Sequence, residues 1–320
     1  MNVICFSLEG PLASRDNANE LMKLFPGGEK VFETIARYDD LLTLEGRPDY
    51  KPGDIPALIA PFLVYHGIRD EDIAALARKT TLTNGATDLI SRLSARGWNI
   101  FCISHNYAQY ALHVAQRLSI FSQHVACTSF PLSTISQTLC KDDFAAVETI
   151  EQDILKTNSI DDDWIKKKLD RFYWKELPKS NLGILQEQVI PMNGQHKVEA
   201  LERFGLAQNL PLSDWVMVGA SITDSKLLQA IDQADGLAIA FNANEHALSC
   251  ATMGLASTHL NDLWPVLEAW RQDKRTAVQK LVKGKEKSGG SNDRNYFHWL
   301  AGIEDVAAPL EIHEKIRSTV

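Results

Sequence analysis

Val3-Ile4-Cys5-Phe6-Ser7-Leu8-Glu9-Gly10-Pro11-Leu12 opens the chain with an apolar run that breaks into a polar, glycine-proline turn. Four consecutive apolar residues ahead of a turn signal read as a short strand covered on both faces, as strands of a parallel sheet are. Three more runs of this kind follow, at 98–103 (WNIFCI), 215–218 (WVMV) and 237–241 (LAIAF). Helical periodicity occupies 85–96, 107–118, 196–204 and 223–234, between or after these runs. The alternation is that of an α/β protein with a parallel sheet, and Val125-Ala126-Cys127 is a candidate fifth strand.

Two stretches break the rhythm. Residues 16–79 hold helix-like segments at 29–44 and 55–65, punctuated by Pro26-Gly27-Gly28 and Pro52-Gly53. Residues 141–173 are helical and highly charged. Both lie between strands, so they are expected to project over the carboxyl edge of the sheet, where open α/β sheets bind ligands. The expected division is a core of 1–13, 85–128 and 191–262, a helical cap of 14–84, a second helical insertion of 129–190, and a C-terminal helical extension of 263–320. That extension is expected to pack on the core or to mediate homo-oligomer formation, with Trp264, Trp270, Phe297 and Trp299 fixing it to the body. The hydrophilic stretch 283–292 (KGKEKSGGSN) reads as a mobile linker.

Composition excludes other classes. The 320 residues are 45% hydrophobic and 23% charged, ordinary values for a globular chain and not those of a disordered or collagen-like one. The formal net charge of −8 argues against nucleic acid as a partner. No apolar run approaches the ~18–20 residues that span a bilayer, and the N-terminus lacks the basic region of a signal peptide. Five scattered cysteines without a CxxC pair point to reduced thiols in a cytoplasmic protein.

Four places at strand or helix ends carry chemistry. The first strand ends in Ser7-Leu8-Glu9-Gly10, and the second in Ser104-His105-Asn106. Lys197 lies at the start of a helix after Asn193-Gly194, and the third run ends in Gly219-Ala220-Ser221-Ile222-Thr223-Asp224. Each has a purely structural alternative. Ser7 suits a turn, Ser104 a helix N-cap, Lys197 a solvated helix face, and Asp224 a helix N-terminus. Arg37, Asp39 and Asp40 on the inserted helix either face the site or sit in water.

In order and placement these segments resemble the four motifs of the haloacid dehalogenase (HAD) superfamily: a strand ending DxDG, a strand ending in Ser or Thr, a Lys opening a helix, and a strand ending GDxxxD. Stretches such as EGPLASRDNANEL, ARYDD and GLAIAFNANEHAL also resemble the family called subunit R of energy-converting hydrogenase A. The resemblance implies a HAD-like Rossmannoid core with cap insertions. It makes Ser7, Glu9, Ser104 and Lys197 the catalytic positions, places Gly10, His105 and Asn106 around the ligand, and leaves Asp224 at the metal position. Two departures stand out. The nucleophilic Asp of the family is Ser7 here, and the leading Asp of the fourth motif is Ala220.

A serine hydroxyl needs a base where a carboxylate needs none. A Mg²⁺ ion wants acidic oxygen ligands, so its binding is expected to be weak or absent. What remains is an anion site, with Lys197 as a point charge and the turn Leu8-Glu9-Gly10 expected to offer backbone N–H groups. Its ligand is expected to be phosphate or a phosphorylated small molecule. The alternatives are an active phosphatase with an altered site and a subunit of a larger complex.

Overall fold

The computed structural model describes residues 2–13, 17–48, 50–157, 161–288 and 294–319. Its centre is a seven-stranded sheet of β1 (Asn2–Ser7), β2 (Trp98–Tyr107), β3 (Val125–Thr128), β4 (Trp215–Gly219), β5 (Leu237–Phe241), β6 (Met253–Ser257) and β7 (Asn295–Trp299), ordered β3-β2-β1-β4-β5-β6-β7. Every neighbouring pair is parallel except β6 and β7. This is the expected α/β class.

Alternation of side chains divides the apolar residues between two faces. Ile4, Phe6, Val216, Val218 and Ile239 pack on one face with Leu89, Leu93, Leu263 and Leu267. Val3, Cys5, Phe101, Ile103, Trp215 and Met217 pack on the other with Leu201, Leu227 and Ile231. Helices therefore cover both faces, which is why the strands read as unbroken apolar runs.

The strand order reverses about β1, whose neighbours β2 and β4 leave the sheet in opposite directions along the order. Such a switch point opens a crevice at the carboxyl ends of the strands. The insertions cover it as one helical layer. Arg37, on the helix Gly28–Glu45, grips Asp162 of the second insertion with Nη2 to Oδ2 at 2.6 Å, and Tyr38 Oη donates to Asp170 at 2.6 Å. Lys30 reaches the carbonyl of Thr157, and His66 lies 2.6 Å from Glu151. Several contacts seat this layer on the core. Tyr107 Oη donates to the carbonyl of Pro56, Asn17 Nδ2 to Asn106 Oδ1, and Asn193 Nδ2 to Asp54 Oδ1. Beside the last, Gly53 adopts φ +103° with Asn193 Cα only 3.3 Å from where a Cβ would stand. A side chain there would meet both backbone strain and a clash.

The C-terminal segment, expected as a helical extension, also contributes a strand. It supplies β7, which runs antiparallel along β6 at the edge of the sheet. Trp270, Phe297 and Trp299 are buried as expected. Leu300 and Ala301 both donate to the carbonyl of Thr252, and His313, in the last helix, accepts from the amide of Ala243. Of the stretch read as a linker, 283–288 is helical, ending a segment Trp264–Ser288 that kinks at Asp273 and Lys274, and 289–292 lies outside the described residues.

Candidate functional site

Ser7, Glu9, Ser104, Lys197 and Asp224, spread over more than 200 positions of sequence, meet at the switch point beneath the inserted helices. All are buried, with no side chain of the five more than 4% exposed. Ser7 is the last residue of β1, paired in register with Ile103. The chain then turns back through Gly10, at φ +93°, and the amides of Leu12 and Ala13 both return to the carbonyl of Leu8. The turn does not form the expected nest of free donors. The amide of Leu8 donates to Ile103 and that of Gly10 to Ala13.

Glu9 is the hub of one half of the site. Its Oε1 accepts from Ser104 Oγ and, at 2.8 Å, from Asn106 Nδ2, while the amide of His105 approaches Oε2 at 3.4 Å. His105 Nδ1 lies 3.1 Å from Oε2. The placement of Ser104–Asn106 comes from a break in register, because β2 advances from Ile103 to Tyr107 while β3 advances only from Ala126 to Thr128. The surplus residues bulge out of the ladder, which re-aims their side chains. Thr128 Oγ1 secures the bulge by donating to the carbonyl of His105 at 2.5 Å. Ser104 is therefore not a helix cap; the helix Ala108–Arg117 begins four residues later, with Tyr107 at its N-cap. Nor does Ser104 hand its proton toward His105, since both face the same carboxylate.

Burial alone would raise the Glu9 pKa. The charge of His105 and its hydrogen bond, then Lys197 and Ser104, outweigh burial and hold it down to about 2. A depressed carboxylate stabilises the fold above its unfolded pKa, and the contribution fades as pH falls through the folded one. Between about pH 4.5 and pH 2, Glu9 is thus expected to withdraw about 3 kcal/mol of stability. The check is acid unfolding of wild type against Glu9→Gln, which should lack this part of the pH slope.

The other half is an ion pair sealed from water. Lys197 sits in the first turn of the helix Gly194–Gln208, whose N-cap is Asn193. Its Nζ donates to Asp224 Oδ1 at 2.6 Å and to Thr223 Oγ1 at 3.0 Å. Asp224 Oδ2 accepts from the amides of Ala220 at 2.9 Å and Ser221 at 3.1 Å, and the Ser7 hydroxyl is near enough to help lower its pKa. Desolvation pushes the Asp224 pKa up, but Lys197 and these donors overrule it and hold the carboxyl below its usual range. The charge of Lys197 is thus compensated by Asp224.

The donor set does not fit Mg²⁺. A hydroxyl and a methyl stand at positions 7 and 220, and both oxygens of Asp224 are already engaged by protein donors. Among the described residues, no three His, Cys, Asp or Glu side chains gather as metal ligands.

Of the residues that the cap brings over the site, sequence reasoning overlooked Asp54 and Tyr50 and left Asp39 open between site and solvent. Asp39 accepts from Tyr50 Oη, and its carboxyl is raised by burial despite a lowering influence from His105. Asp54, raised by burial as well, accepts from Asn193. Of the ARYDD cluster, Asp39 turns inward, while Arg37 and Asp40 stay exposed on the rim. Their position depends on how the cap is seated, which no local pattern encodes.

No family model matches the chain, and no curated protein sequence is similar to it. Solved structures are similar. Gene product AF1437 from Archaeoglobus fulgidus superposes with a TM-score of 0.84 at 22% identity, over 99% of this chain and 96% of that one. A phosphoserine phosphatase in its apo form superposes with a TM-score of 0.51 at 15% identity, over 82% of this chain and 98% of that one. A substrate-bound phosphoserine phosphatase gives 0.52 at 16% identity. At these identities the likeness is one of fold, and the fold is HAD-like. No helix among the described residues is long and apolar enough to cross a membrane.

Proposed function

We propose that this is a HAD-fold protein impaired in phosphoryl transfer, which keeps an anion pocket under its cap and acts by binding or sensing phosphate or a phosphorylated small molecule. The observation that carries the reading is the state of Ser7. Its hydroxyl stands where the first strand ends, and the acid near it is Asp224, a carboxylate already held by Lys197 and two amides. Attack by a hydroxyl needs a base that can take its proton. Glu9 and Asp224 both have depressed pKa values, and a depressed carboxylate is a poor base at neutral pH.

Features for holding an anion persist. An ammonium group has three N–H donors, and Lys197 uses two of them on Thr223 and Asp224. His105, about one-fifth exposed, stands at the mouth of the site.

Hydrolysis of p-nitrophenyl phosphate is expected to stay at background with and without Mg²⁺. Orthophosphate should give a saturable titration that His105→Ala weakens several-fold. Magnesium-dependent turnover abolished by Ser7→Ala would overturn the reading in favour of an active phosphatase. Phosphate binding that is absent, or indifferent to His105→Ala, would remove the pocket. A native mass measurement separates a lone chain from a homo-oligomer, and co-purification at fixed stoichiometry would mark membership of the larger complex that the hydrogenase-subunit resemblance implies.

A further inference from the structure

The second insertion carries a row of cations that the site at the sheet edge does not use. Lys167, Arg171, Lys175 and Lys179 recur every four residues, and with Glu176 they line a surface cavity of about 460 Å³. The row begins on the helix Asp162–Arg171, crosses a π-helical turn at Phe172–Glu176 and ends in the 3₁₀ turn Leu177–Lys179. Four residues of α-helix overshoot one turn by about 40°, so a long row at this spacing would wind off its face. A π turn takes more residues per turn, which returns the following residues toward the same side. The irregular turn therefore keeps the row facing one cavity.

All four cations are exposed. Glu176 is held by Arg171, with Nε to Oε1 at 2.7 Å, and Lys167, Lys175 and Lys179 form no ion pair among the described residues. The other lysines of the same helix are paired: Lys166 with Asp170 and Glu45, and Lys168 with Asp153. The unpaired lysines are thus confined to the face that opens on the cavity. Like charges four residues apart repel and destabilise a helix. In a chain of net charge −8, such a row sets one positive concavity against a negative background, which concentrates anions there.

We propose that this cavity binds a small ligand carrying several linked phosphate groups, at a site separate from the one beneath the cap. Several cations around one concavity match a compact polyanion, whereas a single phosphate would meet only part of the row. The contacts are solvent-exposed, so binding should weaken steeply with salt.

The test is isothermal titration of the full chain with inorganic tripolyphosphate at low salt. Saturable binding is expected, tighter than for orthophosphate. It should be weakened about tenfold or more by Lys167→Gln with Lys175→Gln, and left unchanged by His105→Ala. Both positions are exposed, and circular dichroism checks that the fold is intact. Absence of saturable binding, or equal binding by the double variant, would overturn the assignment. Loss of binding in His105→Ala alone would overturn it too, by placing the polyanion under the cap. Tighter binding of a polyglutamate peptide than of tripolyphosphate would mark the row as a protein contact and refute the small-ligand assignment.

Discussion

Lys197→Met is expected to destabilise the protein by about 3–5 kcal/mol, the range for breaking a fully buried ion pair by removing one partner. Both side chains are 0% exposed, so water cannot take the place of the missing ammonium. Asp224 would keep its bonds to the amides of Ala220 and Ser221 while losing the charge that offsets its desolvation. Its carboxyl would then move from below the usual range to above it, because burial is the largest influence on it.

The pH dependence follows with its sign. In wild type the depressed Asp224 contributes stability above its unfolded pKa, which is lost as pH falls. In the variant the raised group prefers to be protonated, so acidification relieves the defect. The gap between the two proteins should be widest near neutrality and shrink toward pH 4. Urea unfolding at several pH values measures this. Adding Asp224→Asn to Lys197→Met should recover part of the loss, since a neutral amide can still accept from the two backbone donors. A Lys197→Met protein within about 1 kcal/mol of wild type at pH 7 would mean that the pair is not the buried unit described here.

The second large effect is expected from Ser7→Asp combined with Ala220→Asp. Both positions are buried against Asp224, with Ser7 1% and Ala220 0% exposed. Two added carboxylates beside Asp224 and Glu9, with Lys197 as the buried ammonium, would repel one another, and the double variant should melt below wild type in the absence of divalent ions. The same three acids around one point supply the oxygen ligands that Mg²⁺ requires. Magnesium should therefore raise the melting temperature of the double variant. If it binds with [Mg²⁺] at 100 times Kd, the gain is about 2.7 kcal/mol. Wild type should barely respond, and either single variant should respond far less than the pair. Thermal melting with and without millimolar Mg²⁺ decides. Equal stabilisation of wild type and double variant would show that the natural residues already hold the ion.

Much of this was legible in the sequence because the parallel strands are buried on both faces, which leaves an apolar run that nothing else in the chain imitates. β1, β2, β4 and β5 announced themselves in this way. β6 did not, because its Met-Gly-Leu-Ala-Ser carries small residues of low strand propensity, packed closely enough that His313 Nε2 lies 3.0 Å from where a Cβ on Gly254 would stand. β7, Asn-Tyr-Phe-His-Trp, buries only Phe297 and Trp299, and five residues of alternation after a long polar stretch are easily taken for aromatic packing. At the site, the ends of strands and helices mark Ser7, Ser104, Lys197 and Asp224 as neighbours. Their pairing is another matter. That Ser104 answers to Glu9, and Lys197 to Asp224, depends on the bulge in β2 and on the turn after β4, which are set by tertiary packing.

The closed seam between cap and core bears on time as well as on space. The cap loop presses Gly53 against Asn193, Asp54 is tied to the same asparagine, and the side chains beneath are shut off from water. On the function proposed above, a ligand reaching Lys197 or Ser7 has to part that seam. Its observed association rate should therefore rise with concentration at first and then level off at the frequency with which the loop swings open, a ceiling that belongs to the protein and is the same for every ligand that fits.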